Sequence, residues 1–377
     1  MIRLEGISKV YPNMDRPAVK ELNLHIEEGE ICILVGPSGC GKTTTLKIIN
    51  RLIEPSSGKI YINGKDAMKE DPNELRQNIG YVIQQIGLFP HMTVYENIAT
   101  VPRLRDWDEG RIRKRVDELL EMVELDPEEN RYKYPMELSG GQRQRVGVAR
   151  AMAIDPPIML MDEPFGAVDP ITRTQLQNEF LKLQRKIKKT IVFVTHDIDE
   201  AIKMGDKIAI MNQGELVQFD TPANILFNPG NEFVEDFVGS DRGLKVLNLI
   251  HVDKIMNTGV PTVESVSRAE DVLKEINNLD QDYIMVTGED EHLAGYISSN
   301  RLKKHQDSDW YKFLKPTPVV EIEATLKDAL AKMIENDVAV VPVVNDEREL
   351  VGTVTLKDIR SYVSNSYQEN DLVSVNI

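Results

Sequence analysis

Apolar residues follow two spacings along this chain. Four short stretches, Ile31 to Val35, Ile158 to Met161, Ile191 to Val194 and Lys207 to Met211, are near-continuous. Runs of that length and composition predict strands buried on both faces. Between them, Glu109 to Val123 and Gln142 to Ala153 place their apolar residues at helical spacing. Buried strands alternating with helices predict a mostly parallel sheet flanked by helices, an α/β fold over the first two thirds of the chain. The stretch from about His91 to Ala153 shows no such strand, and reads as a helical subdomain inserted into the sheet domain.

The last third repeats itself. Pro261, Val263, Glu264, Asp271, Leu273, Leu293, Gly295 and Leu302 recur without a gap, 57 positions on, as Pro318, Val320, Glu321, Asp328, Leu330, Leu350, Gly352 and Ile359. Each copy reads strand, helix, strand, turn, strand, helix start. A unit this small cannot bury its own apolar face, so the two copies are expected to pack on each other.

Charge sharpens the division. The 377 residues carry a net charge of −16, with 37 acidic and 30 basic side chains in residues 1–240 but 24 and 15 in residues 241–377. The shorter part holds more than half of the excess, which predicts a boundary near Gly239 to Gly243. The expected plan is a domain at 1–240, a linker at 241–250, repeat units at 251–308 and 309–366, and a tail at 367–377. So acidic a chain lacks the basic surface that general binding to nucleic acid requires. Its longest apolar runs, such as Val338 to Val344, are strand-sized, and the first residues lack the apolar core of a signal peptide. Cys32 and Cys40 have neither CxxC spacing nor a histidine cluster, which excludes a disulfide framework and a structural zinc and fits a reducing cytoplasm. The expected protein is soluble and meets a membrane only through a partner.

Three motifs carry chemistry. Gly36-Pro37-Ser38-Gly39-Cys40-Gly41-Lys42-Thr43, followed by Thr44, matches GxxxxGK[ST] between an apolar strand and a helical run, the context a phosphate loop requires. Its glycines let backbone amides converge on phosphate oxygens, Lys42 is placed to neutralise the β- and γ-phosphates of ATP, and Thr43 can ligate Mg²⁺. Cys40 reads as a small loop residue whose place at a helix start would lower its thiol pKa. The strand Ile158 to Met161 ends in Asp162 and Glu163; beside a phosphate loop, Asp162 would hold Mg²⁺ through water and Glu163 would polarise an attacking water. Leu138-Ser139-Gly140-Gly141-Gln142 opens a helical run and reads as a second anion-binding helix start.

With these motifs the chain resembles the ATPase subunits of ABC transporters over roughly residues 1–240. LSGGQ at Leu138 to Gln142, the strand ending in Asp162 and Glu163, Gln84, Asp169, His196 and Tyr11 occur in that family's order. The resemblance implies two ATPase copies meeting head to tail, so that ATP on Lys42 and Thr43 of one is covered by Ser139 and Gly141 of the other. It also implies that Tyr11 stacks on adenine, Gln84 senses Mg²⁺ and the attacking water, His196 contacts the γ-phosphate and Asp169 communicates across the dimer. Val168 stands where the family usually has Leu, which keeps an apolar residue.

A narrower resemblance rests on Ile49 to Gly58 (INRLIEPSSG), Val82 to Val94 (VIQQIGLFPHMTV) and the repeat. Together these are similar to the ATPases of bacterial importers for glycine betaine, carnitine, choline or proline. That implies transmembrane permease subunits, a substrate-binding protein or domain acting indirectly, and a place on the cytoplasmic face of the membrane. Segment 85–98, with Ile86, Leu88, Phe89 and Met92, would meet the permease, although those side chains suit a core equally well. The repeat resembles a tandem pair of CBS modules. In the second copy Gly352 to Asp358 (GTVTLKD) matches the GxxTxxD pattern in which Thr355 and Asp358 would hold the phosphate and ribose of an adenine nucleotide. The first copy departs from it with Arg301 at the Asp position, suited to a phosphate instead. Cyclic di-AMP is the first candidate ligand and AMP or ATP the second; a role in packing and dimerisation alone stays open. The alternatives are an importer ATPase for another solute and a soluble mechanochemical ATPase.

Overall fold

A computed structural model of the chain describes all residues except 13–15, 84–86, 167, 260–261, 266, 279–282, 289–292, 306–308 and 374–377, and leaves aside the side chains of 278 and 366–373. Contacts divide it into two compact units, Met1–Gly239 and Ser240–Ile377.

In the first unit the four expected strands lie side by side. The six-stranded sheet runs Glu215–Asp220, Lys207–Asn212, Ile31–Val35, Thr190–Val194, Ile158–Asp162, Ile79–Val82. Its last five strands are parallel, and the first is an antiparallel edge. Every residue of Ile31–Val35, Ile158–Asp162 and Thr190–Val194 is buried, as near-continuous apolar runs require. Ile79–Val82 was not expected. It has only four residues, and one is Gly80, where a Cβ would stand 2.5 Å from the Ala151 carbonyl oxygen. The glycine weakens the strand signal because its use is to let a helix end approach the sheet.

A second, antiparallel sheet, ordered Val19–Ile26, Ile2–Lys9, Ser57–Ile62, Lys65–Asp66, packs into the same core. Its strands bury alternate residues such as Ile2, Leu4, Leu22 and Leu24. A reading of continuous runs passes over such half-buried strands. Between the sheet strands Ile79–Val82 and Ile158–Asp162, helices Val94–Leu104, Glu109–Met122, Pro127–Asn130 and Gly140–Ala151 form the helical region. Within segment 85–98, Phe89 is exposed while Leu88 and Met92 are half-buried, so these three are surface rather than core; Ile86 lies outside the described residues.

The repeat in the second unit is geometric as well as sequential. Ala269–Asn278, Tyr283–Thr287 and Leu293–Ser298 recur, at the same offset, as Leu326–Glu335, Val340–Val344 and Leu350–Thr355. The pairing recurs too: Ile284 opposite Ile297 becomes Val341 opposite Val354, and Val286 opposite Gly295 becomes Val343 opposite Gly352. Met285 and Tyr296 of the first copy join the core built mainly by the second. Two expectations need correcting. Residues 241–250 are not a bare linker, because helix Arg242–Val246 forms there and Val246 and Leu247 are buried, Leu247 in the second copy's core. The final helix, Leu356–Val373, also runs well into the expected tail.

Candidate active site

The strand Ile31–Val35 ends in the glycine loop, and the chain turns through it into helix Lys42–Ile49. Gly36 has φ +151° and Gly41 φ +103°, and a Cβ would lie 2.1 Å from the Met211 carbonyl oxygen at the first and 2.3 Å from that of Ala18 at the second. Glycine alone fits both the angle and the space. With Gly41 at its N-cap, the helix has no side-chain cap, so its first amides face outward unpaired by a capping group. That is the arrangement an anion uses.

Lys42 is buried, and its Nζ donates to the carbonyl oxygens of Gly36 at 2.7 Å and Pro37 at 3.0 Å. Among the described residues it has no carboxylate partner within ion-pair distance, so a phosphate brought into the loop would meet a buried cation held only by neutral acceptors. Thr43 Oγ1 donates to Asp162 Oδ1 at 2.9 Å. Asp162 is buried at the end of its strand, and burial pushes its pKa up against the opposing pull of the Thr43 hydrogen bond. A hydroxyl and a buried carboxylate fit Mg²⁺, which takes oxygen ligands and shares them with substrate phosphates and water. No cluster of three or more His, Cys, Asp or Glu is placed to hold a metal among the described residues.

Glu163 follows at once, with φ +45°, a conformation uncommon for a residue with a Cβ. Its amide donates to the Val194 carbonyl at 3.0 Å, and its Oε1 lies 3.2 Å from His196 Nδ1. Strand pairing explains this meeting: Asp162 registers with Val194 on the neighbouring strand, so residues just beyond each come together. Thr44 is half-buried on the phosphate-loop helix. Tyr11 is half-buried with Lys9 Nζ 5.4 Å above its ring. Gln84 lies outside the described residues. Cys40 fits its reading as a small loop residue: it is buried, and burial pushes its pKa up despite Lys42 nearby, so the helix start does not lower it.

The LSGGQ segment sits elsewhere in the fold. Ser139 caps helix Gly140–Ala151 by accepting from the Gln142 amide at 3.2 Å, while Gln142 Oε1 accepts from the Ser139 amide at 2.9 Å. Leu138 is buried, and a Cβ on Gly141 would lie 3.1 Å from Thr172 Cγ2. Asp169 caps helix Pro170–Ile187, and the hydrogen bond from the Thr172 amide holds its carboxyl below the usual range. Arg173, one turn further on, was missed by the sequence reading. Its Nη2 donates to the Val168 carbonyl at 3.0 Å and its Nη1 is 4.0 Å from Asp197, beside His196. Its spacing of four from Asp169 was the available signal.

In the second unit Thr355 pairs with Val340, one of the residues that line the cavity holding Arg301. Thr355 and Asp358 close on each other: Asp358 Oδ2 accepts from the Thr355 amide at 2.9 Å and from its Oγ1 at 2.6 Å, and Thr355 Oγ1 accepts from the Asp358 amide at 3.1 Å. This is a capping box at the start of the last helix. Arg301 lines that cavity, of about 640 Å³, with Lys304, His305, Lys315, Tyr283 and Tyr296.

Residues 19–166 match the model of the ABC transporter family, and residues 313–365 that of the CBS domain. The chain is 47% identical over 386 residues to the glycine betaine/carnitine/choline transport ATP-binding protein OpuCA of Bacillus subtilis, covering all of both chains. It is 46% identical to the choline transport ATP-binding protein OpuBA of the same organism, covering 97% of each. The chain belongs to the ATP-binding subunits of the bacterial osmoprotectant ABC importers. As an importer ATPase it has the ATP-hydrolysing cassette of that family. Its first unit is similar to the dimeric ATP-binding cassette MJ0796 bound to ADP and Pi, with TM-score 0.54 and 38% identity, covering 59% of this chain and 99% of that one. Among the described residues no helix is long and apolar enough to cross a membrane.

Proposed function

We propose that this importer ATPase hydrolyses ATP to power uptake of a quaternary-amine osmoprotectant through partner transmembrane subunits, with a second copy of itself completing the site. The reading is carried by one arrangement: the Thr43–Asp162 and Glu163–His196 pairs stand beside an uncapped glycine loop. Lys42 and the open amides would hold the phosphates. Thr43 and Asp162 would hold Mg²⁺, whose chemistry is to neutralise phosphate charge as it moves onto the leaving group. Glu163 would orient a water and draw on its proton, with His196 fixing the carboxylate. Ser139 and Gly141 of the partner copy would cover the nucleotide, and Asp169 would pass the state of one site to the other, helped by Arg173. Gln84 keeps its proposed place as a sensor of Mg²⁺ and water.

The second unit is proposed to regulate this cycle by binding an adenine nucleotide, cyclic di-AMP first. Support lies in the cavity around Arg301, where basic side chains suit phosphate and two tyrosines suit a base. The identity with importer ATPases over the whole length supports the solute class.

Reconstitution with the permease tests the solute class. Vesicles with ATP inside should accumulate glycine betaine, carnitine or choline, and Lys42→Ala should abolish it. Accumulation of none of the three by a complex that still hydrolyses ATP would reject the solute class and leave the ATPase.

A further inference from the structure

His196 is fixed by the residues on either side of it. Before it, Thr195 is 2% exposed; its amide donates to the Leu34 carbonyl at 3.1 Å, on the strand that feeds the phosphate loop, and its hydroxyl accepts from the Asp197 amide at 3.1 Å. After it, Asp197 caps helix Ile198–Met204 by accepting from the amides of Asp199 at 2.9 Å and Glu200 at 3.3 Å. The place of His196 against Glu163 therefore follows the start of that helix.

Glu200, in the first turn of the same helix, is a carboxylate only 7% exposed. A buried acid needs partners. Its Oε1 accepts from Gln177 Nε2 at 2.9 Å, and Gln177 Oε1 accepts in turn from Lys203 Nζ at 3.1 Å. An ionised carboxylate only accepts and an ammonium only donates, so the amide between them has one permitted orientation. Burial pushes the Glu200 pKa up, while the Thr195 hydroxyl and the Gln177 amide pull it down by favouring the ionised form.

Gln177 belongs to helix Pro170–Ile187, whose N-cap is Asp169. One turn earlier on that helix, Arg173 Nη1 lies 4.0 Å from Asp197. Two points a turn apart on the Asp169 helix thus grip the helix that follows His196, the first at its N-cap and the second between Glu200 and Lys203. The Arg173 contact is long and partly exposed, which makes it the weaker of the two. The buried Gln177 bridge is the firmer link.

We propose that Glu200 is a positioning residue for ATP hydrolysis: through the Gln177 bridge it fixes the helix that begins after His196 to the Asp169 helix, and so keeps His196 on Glu163. A shift of the Asp169 helix as a second copy docks is carried to His196 by the same bridge. Glu200 acts through His196, so the inference rests on the roles given to His196 and Glu163 above.

The test uses the full chain, with single-turnover ATP hydrolysis, nucleotide affinity and Tm measured on each variant. Glu200→Ala should lower the hydrolysis rate about tenfold, a fraction of what a misplacement of about 1 Å costs, with ATP affinity changed by less than about twofold. Glu200→Gln, which can still accept from Gln177, should recover most of that loss. Gln177→Leu, which cuts the bridge, should reproduce it. The deciding readout is non-additivity: in a His196→Ala background neither Glu200→Ala nor Gln177→Leu should lower the rate further, because groups that act as a unit do not add. A merely structural role would lower the rate by the same factor in both backgrounds. Where Glu200→Ala fails to fold, Gln177→Leu carries the same comparison. Equal losses in the two backgrounds, or unchanged rates in both Glu200→Ala and Gln177→Leu, overturn the proposal and leave the ATPase reading standing. Normal hydrolysis in His196→Ala removes His196 from that reading, and the proposal with it.

Discussion

Helix Lys42–Ile49 and helix Leu356–Val373 both begin where a strand ends, and both were expected to hold nucleotide phosphate at that point. They treat their first amides in opposite ways. At the phosphate loop the N-cap is Gly41, no side chain folds back, and Thr43 spends its hydroxyl on Asp162 in a separate strand. At the second helix Thr355 and Asp358 spend their oxygens on each other and on the helix's own amides. An anion arriving at the first finds donors ready, and one arriving at the second must displace a capping box worth ~1 kcal/mol. A Thr and an Asp three apart are thus as good a description of a helix cap as of a ligand site. Ser139 and Gln142 teach the same lesson in the LSGGQ segment, whose capping box must rearrange or share its donors if a nucleotide from the partner copy docks there.

The contrast can be broken most severely at its catalytic end. If Glu163 has the role proposed for it, on water and not on nucleotide, Glu163→Gln should keep ATP binding and lower hydrolysis by about 10²–10⁴-fold. Single-turnover assays would show this, and near-normal turnover would remove Glu163 from its role. In the second unit Arg301→Ala should weaken calorimetric binding of cyclic di-AMP by about tenfold, as loss of a charge-assisted contact does, without lowering stability. Thr355→Val should do the reverse, lowering the stability of the second unit by ~1 kcal/mol through the lost cap while binding barely changes. If Thr355→Val abolishes binding and Arg301→Ala does not, the contrast between the two helix starts collapses.

The smallest effect concerns Asp162. Burial raises its pKa, so the folded nucleotide-free chain holds this proton at a pH where the unfolded chain has released it. The stability it contributes is present below the ordinary aspartate pKa and is lost as pH rises through the raised value. Asp162→Asn should therefore raise Tm of the nucleotide-free chain at neutral pH by roughly 2–4 °C, while removing the Mg²⁺-dependent gain in stability with ATP. Calorimetry with and without Mg²⁺ reads both, and an unchanged or lowered Tm without nucleotide would contradict the burial argument.

Much of the catalytic cassette was legible because its signals are local. Continuous apolar runs announced Ile31–Val35 and Ile158–Asp162, and the glycine spacing announced the loop between strand and helix. The repeat was equally plain, and its offset carried through to strand register. What escaped notice had weak or ambiguous local signals. Ile79–Val82 is short and broken by Gly80, and the antiparallel sheet buries only alternate residues. Arg173 is one arginine among many until its helix is seen to reach both Val168 and Asp197.

Composition, charge and motif order determined the boundary between cassette and repeat and the kinds of chemistry present, since these depend on residue types at fixed spacings. Only the tertiary structure decided which of those residues meet. Glu163 reaches His196, 33 residues on, because paired parallel strands set their ends side by side, and Asp162 reaches Thr43, 119 residues away, because helix Lys42–Ile49 meets the end of a strand two places from the one before it. Thr355 is closed by its own cap, while Arg301 opens on a basic cavity with Lys315 and two tyrosines. The sequence specifies each donor and acceptor; the distances that select their partners arise only when the core has packed.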